Sequence, residues 1–284
     1  MPDALQPATP AEAPAPVPAD AGPEGAQGAP PAPPAPGAAE SPSDSLLPDL
    51  SFFSPDVERL REHFHTAWHK YEPWREIAWF GLPIHKNPFD VFQYQEIISQ
   101  QRPEFVIECG AYLGGSTLYF AHLLDLVGHG TVISIDLANC WEPQVLAHPR
   151  VRALAGSSVD PQILSRVRQL VPPGASCLVV LDSDHRAEHV LAELRAYQEF
   201  VQVGNYLVVE DTNLNGHPVS TGWGPGPFEA VEAFLKEDAP FVPDRWRERK
   251  LFMTFAPSGW LRRVAEPIAG RWLRTPRGVG GAHA

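Results

Sequence analysis

The sequence predicts an α/β protein: a mostly parallel sheet, helices on both faces, and an antiparallel hairpin at its C-terminal end. Two observations carry this. Short, continuously apolar runs alternate with helical periodicity from about Glu104 to Val209. Runs of that kind are strands buried on both faces. Several of them stop abruptly at a carboxylate or a glycine, as parallel strands do where chemistry gathers at one sheet edge. Strand-helix alternation implies right-handed crossovers and therefore parallel pairing.

Taken in order, Ser54-Pro55-Asp56 with Glu58 reads as a helix start, proline in the first turn and acids at the positive end of the dipole. That helix runs to about Tyr71. The segment from Trp74 to Pro88 is rich in aromatics and broken by Gly81, Pro83 and Pro88, so it is irregular. Phe89 to Gln101 returns to helical spacing through Phe92, Ile97 and Ile98. Strands are expected at Glu104–Cys109, Thr131–Asp136, Val151–Ala155, Cys177–Leu181 and Tyr206–Val209. Helices are expected at about Ser116–Leu126, Pro161–Leu170, Ala187–Val201 and Phe228–Lys236. Leu251–Phe255 and Trp260–Val264 read as two further strands joined by a tight turn at Ala256-Pro257-Ser258-Gly259, which forms the hairpin.

Composition bounds the partners. Residues 1–50 are little but Pro, Ala, Gly and acid, cannot bury a core, and are expected to be a disordered arm. Residues 51–103 form a helical segment on the acceptor side, 104–266 the cofactor-binding core, and 267–284 a basic, glycine-rich tail. The net charge of −12 is concentrated before Arg59: nine of the 34 acids precede this first base, leaving 25 acids against 22 bases. There is no basic field to follow a phosphate backbone, which excludes nucleic acid. The arm lacks the basic start and apolar stretch of a secretory signal and the arginines of a transit peptide. No apolar run approaches the ~20 residues that span a bilayer. Three scattered cysteines, Cys109, Cys140 and Cys177, read as reduced thiols, so a cytoplasmic protein is expected.

The loop Glu108-Cys109-Gly110-Ala111-Tyr112-Leu113-Gly114-Gly115-Ser116 follows the first core strand and opens a helix. Gly110 allows a tight turn, and Gly114 and Gly115 let backbone approach a ligand. The helix N-terminus through Ser116 offers N–H groups to an anion. The spacing departs from the dinucleotide fingerprint, and Glu108 at the strand end suits an ammonium group better than a pyrophosphate. Asp136 ends the next strand, where an acid accepts from ribose hydroxyls. Gly156-Ser157-Ser158 ends the third, a natural edge for an adenine. Together these point to S-adenosylmethionine rather than a nicotinamide dinucleotide.

Two neighbouring strands end in Asp182-Ser183-Asp184-His185 and in Glu210-Asp211. Parallel neighbours lie roughly 4.8 Å apart, so Asp182, Glu210 and Asp211 can converge on one hard cation such as Mg²⁺. Without a cation or protons such a cluster repels itself. No Cys/His pair has zinc spacing. His185, three residues beyond Asp182 and with an ordinary pKa near ~6.5, is placed to act as general base. Trp74, Trp79 and Trp223 are candidate walls for a sugar or ring.

These motifs resemble the cephalosporin hydroxylase family of class I methyltransferases, which includes rhamnosyl O-methyltransferases. Five segments match in order: Glu108-x-Gly110-x-x-x-Gly114-Gly115-Ser116, Asp182-Ser183-Asp184-His185 with His189, Val208-Val209-Glu210-Asp211-Thr212, Asn215-Gly216-His217-Pro218, and Gly224-Pro225-Gly226-Pro227. The resemblance covers about Trp74 to Val264. It implies a Rossmann-like seven-stranded sheet, S-adenosylmethionine, Mg²⁺ on Asp182, Glu210 and Asp211, and a catalytic histidine at His185. It further implies a homo-oligomer acting on a hydroxyl of a deoxysugar in a glycosylated natural product or glycolipid. One branch of the family is linked to antibiotic hydroxylation, so a hydroxylation component is the alternative. A non-catalytic cofactor-binding subunit is another.

Overall fold

The computed structural model describes residues 54–265. The N-terminal arm, the first residues of the segment expected at 51–103, and the basic tail lie outside them. Helix α1 (Pro55–Lys70) begins where Ser54 accepts from the backbone N–H of Val57, and a short two-stranded ribbon follows, β1 (Ala78–Trp79) and β2 (Leu82–Pro83). Then come α2 (Pro88–Gln101), β3 (Phe105–Cys109), α3 (Gly115–Val127), β4 (Thr131–Asp136), α4 (Pro143–Leu146), β5 (Val151–Ala155), α5 (Pro161–Leu170), β6 (Cys177–Leu181), α6 (Ala187–Tyr197) and β7 (Tyr206–Val209). The chain ends with α7 (Pro227–Leu235), β8 (Phe241–Pro243), α8 (Arg245–Lys250) and β9 (Trp260–Arg263).

The main sheet has seven strands in the order β5-β4-β3-β6-β7-β9-β8. The first five are parallel, and β9 runs antiparallel to both β7 and β8. Strand residues alternate between two cores. Ile107 and Cys109 of β3 face a core shared with α5, α6 and α7, while Val106 faces one shared with α2, α3 and α4. Full burial of each such aliphatic side chain contributes about 1.5–3 kcal/mol, so both sheet faces must be covered by helices. Strand order reverses between β3 and β6. A crevice opens outside the carboxyl ends of strands at such a point, and ligands bind there.

The antiparallel closure is present, but its first strand is not Leu251–Phe255. Strand β8 lies earlier, at Phe241–Pro243, and α8 sits between the two partners. The apolar pattern at 251–255 arises from packing rather than pairing. Phe255 stacks on His65 of α1 with centroids 5.5 Å apart, and its N–H donates to Asp90 Oδ2 at 2.7 Å. Pro240 precedes this strand and Pro243 ends it, and prolines so placed argue against a strand in the bare sequence.

Two outcomes follow. Gly115 opens α3, where alanine improves helix propensity by about 0.5–1 kcal/mol. A Cβ there would stand 2.1 Å from the Pro83 carbonyl oxygen, an overlap that costs about 1–3 kcal/mol or more. Gly115→Ala is therefore expected to lower the melting temperature; an unchanged or higher value would contradict the packing of β2 on α3. His65 is 3% exposed and burial pushes its pKa down to about 3. Between that value and the ordinary ~6.5 the unfolded chain binds a proton that the folded chain does not, so stability rises with pH across this window. His65→Gln should flatten that slope in urea titrations; an identical slope would contradict it.

Candidate active site

A cavity of about 780 Å³ opens at the carboxyl edge of β3, β4 and β6. Of the residues singled out in the sequence, Gly110, Ser116, Asp136, Ser157, Ser158, Asp182, His185 and Asp211 line it. The first corner is built by Gly110, whose φ of +88° leaves no room for a side chain: a Cβ would lie 1.9 Å from the Asp182 carbonyl oxygen. The loops after β3 and β6 therefore touch backbone to backbone. Asp136 pins the glycine loop. Its Oδ2 accepts from the N–H groups of Ala111 and Tyr112, both at 2.8 Å, and its Oδ1 accepts from Ala138 at 2.9 Å. One Oδ1 lone pair is left for a ligand.

Two expected loop residues stand elsewhere. Glu108 is fully buried and does not line the cavity; Thr117 Oγ1 donates to its Oε2 at 2.5 Å, and its Oε1 has no hydrogen-bond partner. It points into the core shared with α3 because β3 is register-locked to β4, with Glu108 opposite Ser134. Gly114 is also off the cavity. A Cβ there would meet Val145 at 2.9 Å and Trp141 at 3.0 Å, so it serves the close packing of α4.

The acid cluster forms because β6 and β7 pair in register, Leu181 beside Val209. Asp211 has φ +53°, a left-handed conformation uncommon for a residue with a side chain. The cluster's counter-charge is a residue the sequence reading did not single out. Lys86 is 1% exposed, and its Nζ donates to Asp182 Oδ2 at 2.8 Å and to Glu210 Oε1 at 2.6 Å. Tyr94 Oη donates to the same Glu210 oxygen at 2.6 Å. Burial works to discharge Lys86, but Asp182 and Glu210 outweigh it and hold the ammonium charged. The only local signal was a lysine set among Leu82, Pro83, Ile84, Asn87 and Pro88.

Glu210 is thus directed to Lys86 and Tyr94, and the grouping that forms is Asp182, His185 and Asp211. One oxygen or nitrogen from each lies within 4.8 Å of the others. His185 Nε2 is 3.5 Å from Asp182 Oδ1 and 3.2 Å from Asp211 Oδ2, aligned as a hydrogen bond to neither. Burial works to lower the His185 pKa, but the two aspartates outweigh it and push it up to about 9. Asp182 is held below the ordinary range: burial raises it, and Lys86 and His185 more than offset this. Two carboxylates fit a hard divalent cation that takes oxygen, and the imidazole nitrogen beside them is left without a hydrogen bond. Asp184 pairs with Arg186 instead.

Around this core, Trp74 lines the cavity, and Trp223 packs beside His185 with its Nε1 donating to the His185 carbonyl at 3.2 Å. Trp79 does not reach the cavity. Its Nε1 donates to His122 Nδ1 at 3.0 Å, and its ring packs on Tyr119. Glu229 holds the loop after β7, accepting from Asn215 Nδ2 at 2.8 Å, His217 Nε2 at 3.0 Å and Gly226 N at 2.7 Å. Among the described residues no helix is long and apolar enough to cross a membrane.

The strand order, the glycine turn and the crevice at the order reversal define a class I methyltransferase fold. The profile of the family described as rhamnosyl O-methyltransferase/CmcI matches residues 71–264, and the chain belongs to that family. A rhamnosyl O-methyltransferase of Mycobacterium tuberculosis is 37% identical over 217 residues, 75% of this chain and 88% of that one. One of Mycobacterium leprae is 36% identical over 211 residues, 73% and 92% of the two chains. Among solved structures, a CmcI complex with Mg and SAM aligns with a TM-score of 0.52 at 23% identity, over 67% of this chain and 78% of that one; its likeness is one of fold.

The Lys86 ion pairs admit a direct test. Removing one partner of a buried charge pair costs about 3–5 kcal/mol, because the other charge is stranded. Lys86→Met is expected to destabilise by about that amount, and Lys86→Met/Glu210→Gln to recover part of it. Additive losses in the double-mutant cycle, measured by urea unfolding, would contradict the pairing.

Proposed function

We propose that the chain is an S-adenosylmethionine- and Mg²⁺-dependent O-methyltransferase acting on a sugar hydroxyl of a glycosylated small molecule. One observation carries the reading. A single cavity joins the loops after β4 and β5 to Asp182, His185 and Asp211, so a nucleoside-bearing cofactor and an acceptor hydroxyl have room to meet beside the acids. The family and its rhamnosyl-named relatives support the sugar acceptor.

In this reading S-adenosylmethionine lies along Gly110, Ser116, Asp136, Ser157 and Ser158, Asp182 and Asp211 are the carboxylates that would hold the cation, and His185 stands free beside them. The cofactor supplies an electrophilic methyl group, and the cation supplies charge that favours a deprotonated acceptor oxygen. The chain's own residues do the rest. Lys86 and Tyr94 hold Glu210 and one oxygen of Asp182, leaving Asp182 Oδ1 facing His185. His185 Nε2 is the atom that takes the acceptor proton. Charge on the two aspartates is what keeps His185 protonated, so neutralising them frees it as a base. Trp74 and Trp223 offer apolar rings to a deoxysugar face, and the loop braced by Glu229 closes the acceptor side.

The test is transfer of a labelled methyl group from S-adenosylmethionine to rhamnosyl glycosides. Transfer is expected with Mg²⁺, lost on chelation and restored by added Mg²⁺. No transfer to any glycoside, with cofactor and metal bound, would overturn the reading. His185→Gln is expected to lower turnover by about 10²–10⁴-fold with little change in cofactor affinity measured by calorimetry. Equal losses in both would contradict its assignment as base.

A further inference from the structure

Behind Ser158 and the cavity wall lies a polar cluster centred on a carboxylate that the proposed reaction does not use. Glu193 of α6 is fully buried, yet its Oε1 accepts two hydroxyl protons, from Ser158 Oγ at 2.5 Å and Ser183 Oγ at 2.6 Å. Its Oε2 is buried without a partner. His189, one turn earlier on the same helix, brings Nε2 to 3.2 Å from Ser158 Oγ and 3.5 Å from Glu193 Oε1. Tyr197 Oη donates to the Ser158 carbonyl at 2.8 Å and locks that residue's backbone. Ser158, Ser183 and His189 all line the cavity.

A serine hydroxyl has one proton and two lone pairs. Here both protons are committed to one acceptor, so neither serine can donate into the cavity. Ser158 Oγ also receives the His189 N–H, because its own proton is engaged. What the two hydroxyls present to a ligand is acceptor oxygen alone. A carbonyl oxygen placed there would face acceptor oxygens alone, and that mismatch discriminates between ligands. An amino group donates to both.

We propose that Glu193 is a positioning residue that fixes the hydrogen-bond polarity of the cavity wall at Ser158 and Ser183, so that this wall selects a 6-amino purine over a 6-oxo purine. The inference rests on the cofactor reading above and deepens it: base selectivity is set by a carboxylate that does not touch the base.

The experiment compares binding of S-adenosylhomocysteine with S-inosylhomocysteine, its 6-oxo counterpart, by calorimetry on the full chain with Mg²⁺. The wild type is expected to prefer the amino ligand by about tenfold or more. Glu193→Met frees the serine protons and is expected to narrow the ratio to within about threefold, with the circular dichroism spectrum unchanged. Ser158→Ala/Ser183→Ala removes the acceptors and should narrow it likewise, which keeps the test open if Glu193→Met fails to fold. A merely structural role for Glu193 would weaken both ligands equally. A wild-type ratio near one, or a ratio that persists in the folded variants, overturns the inference. Failure of the wild type to bind either ligand overturns the cofactor reading instead.

Discussion

The site depends on one buried ammonium. Lys86 arrives from the segment before α2 and lodges between the ends of β6 and β7, where two strands deliver three carboxylates. Left alone those carboxylates would repel one another in a region from which water is largely excluded. Lys86 cancels part of that repulsion and, with Tyr94, anchors Glu210. It also divides the labour: one Asp182 oxygen belongs to the core, and the other faces His185 and Asp211. The pairing ties the segment before α2 to the main sheet, since Lys86 and its partners are 96 and 124 residues apart in sequence.

The rest of the cavity is made by backbone at close quarters. Gly110 lets the loop after β3 touch the loop after β6, and Asp136 holds the glycine loop through two backbone N–H groups and its own loop through a third. That use of Asp136 differs from a carboxylate simply waiting for ribose. A rigid loop whose N–H groups are already satisfied costs less to organise when a ligand arrives. Glu193 does the same for two hydroxyls on another wall, so that much of the cavity's polarity is set by side chains that lie behind it.

The parallel core was legible because strands covered on both faces are apolar nearly throughout; Cys177–Leu181 is unbroken, and Val106–Cys109 and Val132–Ile135 are each interrupted by one polar residue, Glu108 and Ser134. The strand-end acids were legible for the same reason, each being an abrupt change at the end of such a run. What the residues did not disclose was company. Lys86 looks like an isolated surface cation until the fold buries it. Glu108 resembled a ligand group, yet the register of β3 turns it into the core. Gly114 looked like a cofactor glycine, but it makes room for Val145 and Trp141. Leu251–Phe255 carried a strand's apolar pattern because it packs under α1, and pattern alone does not separate packing from pairing.

The central claim is that Asp182 and Asp211 form one divalent-cation site beside His185 and the nucleoside cavity. Titrating the chain with Mn²⁺ and following the loss of the free ion's electron paramagnetic resonance signal tests it most directly. One ion per chain is expected for the wild type, with S-adenosylhomocysteine bound, and a loss of that site in Asp182→Asn and Asp211→Asn. No bound ion in the folded wild type, or undiminished binding in both variants, would contradict the account.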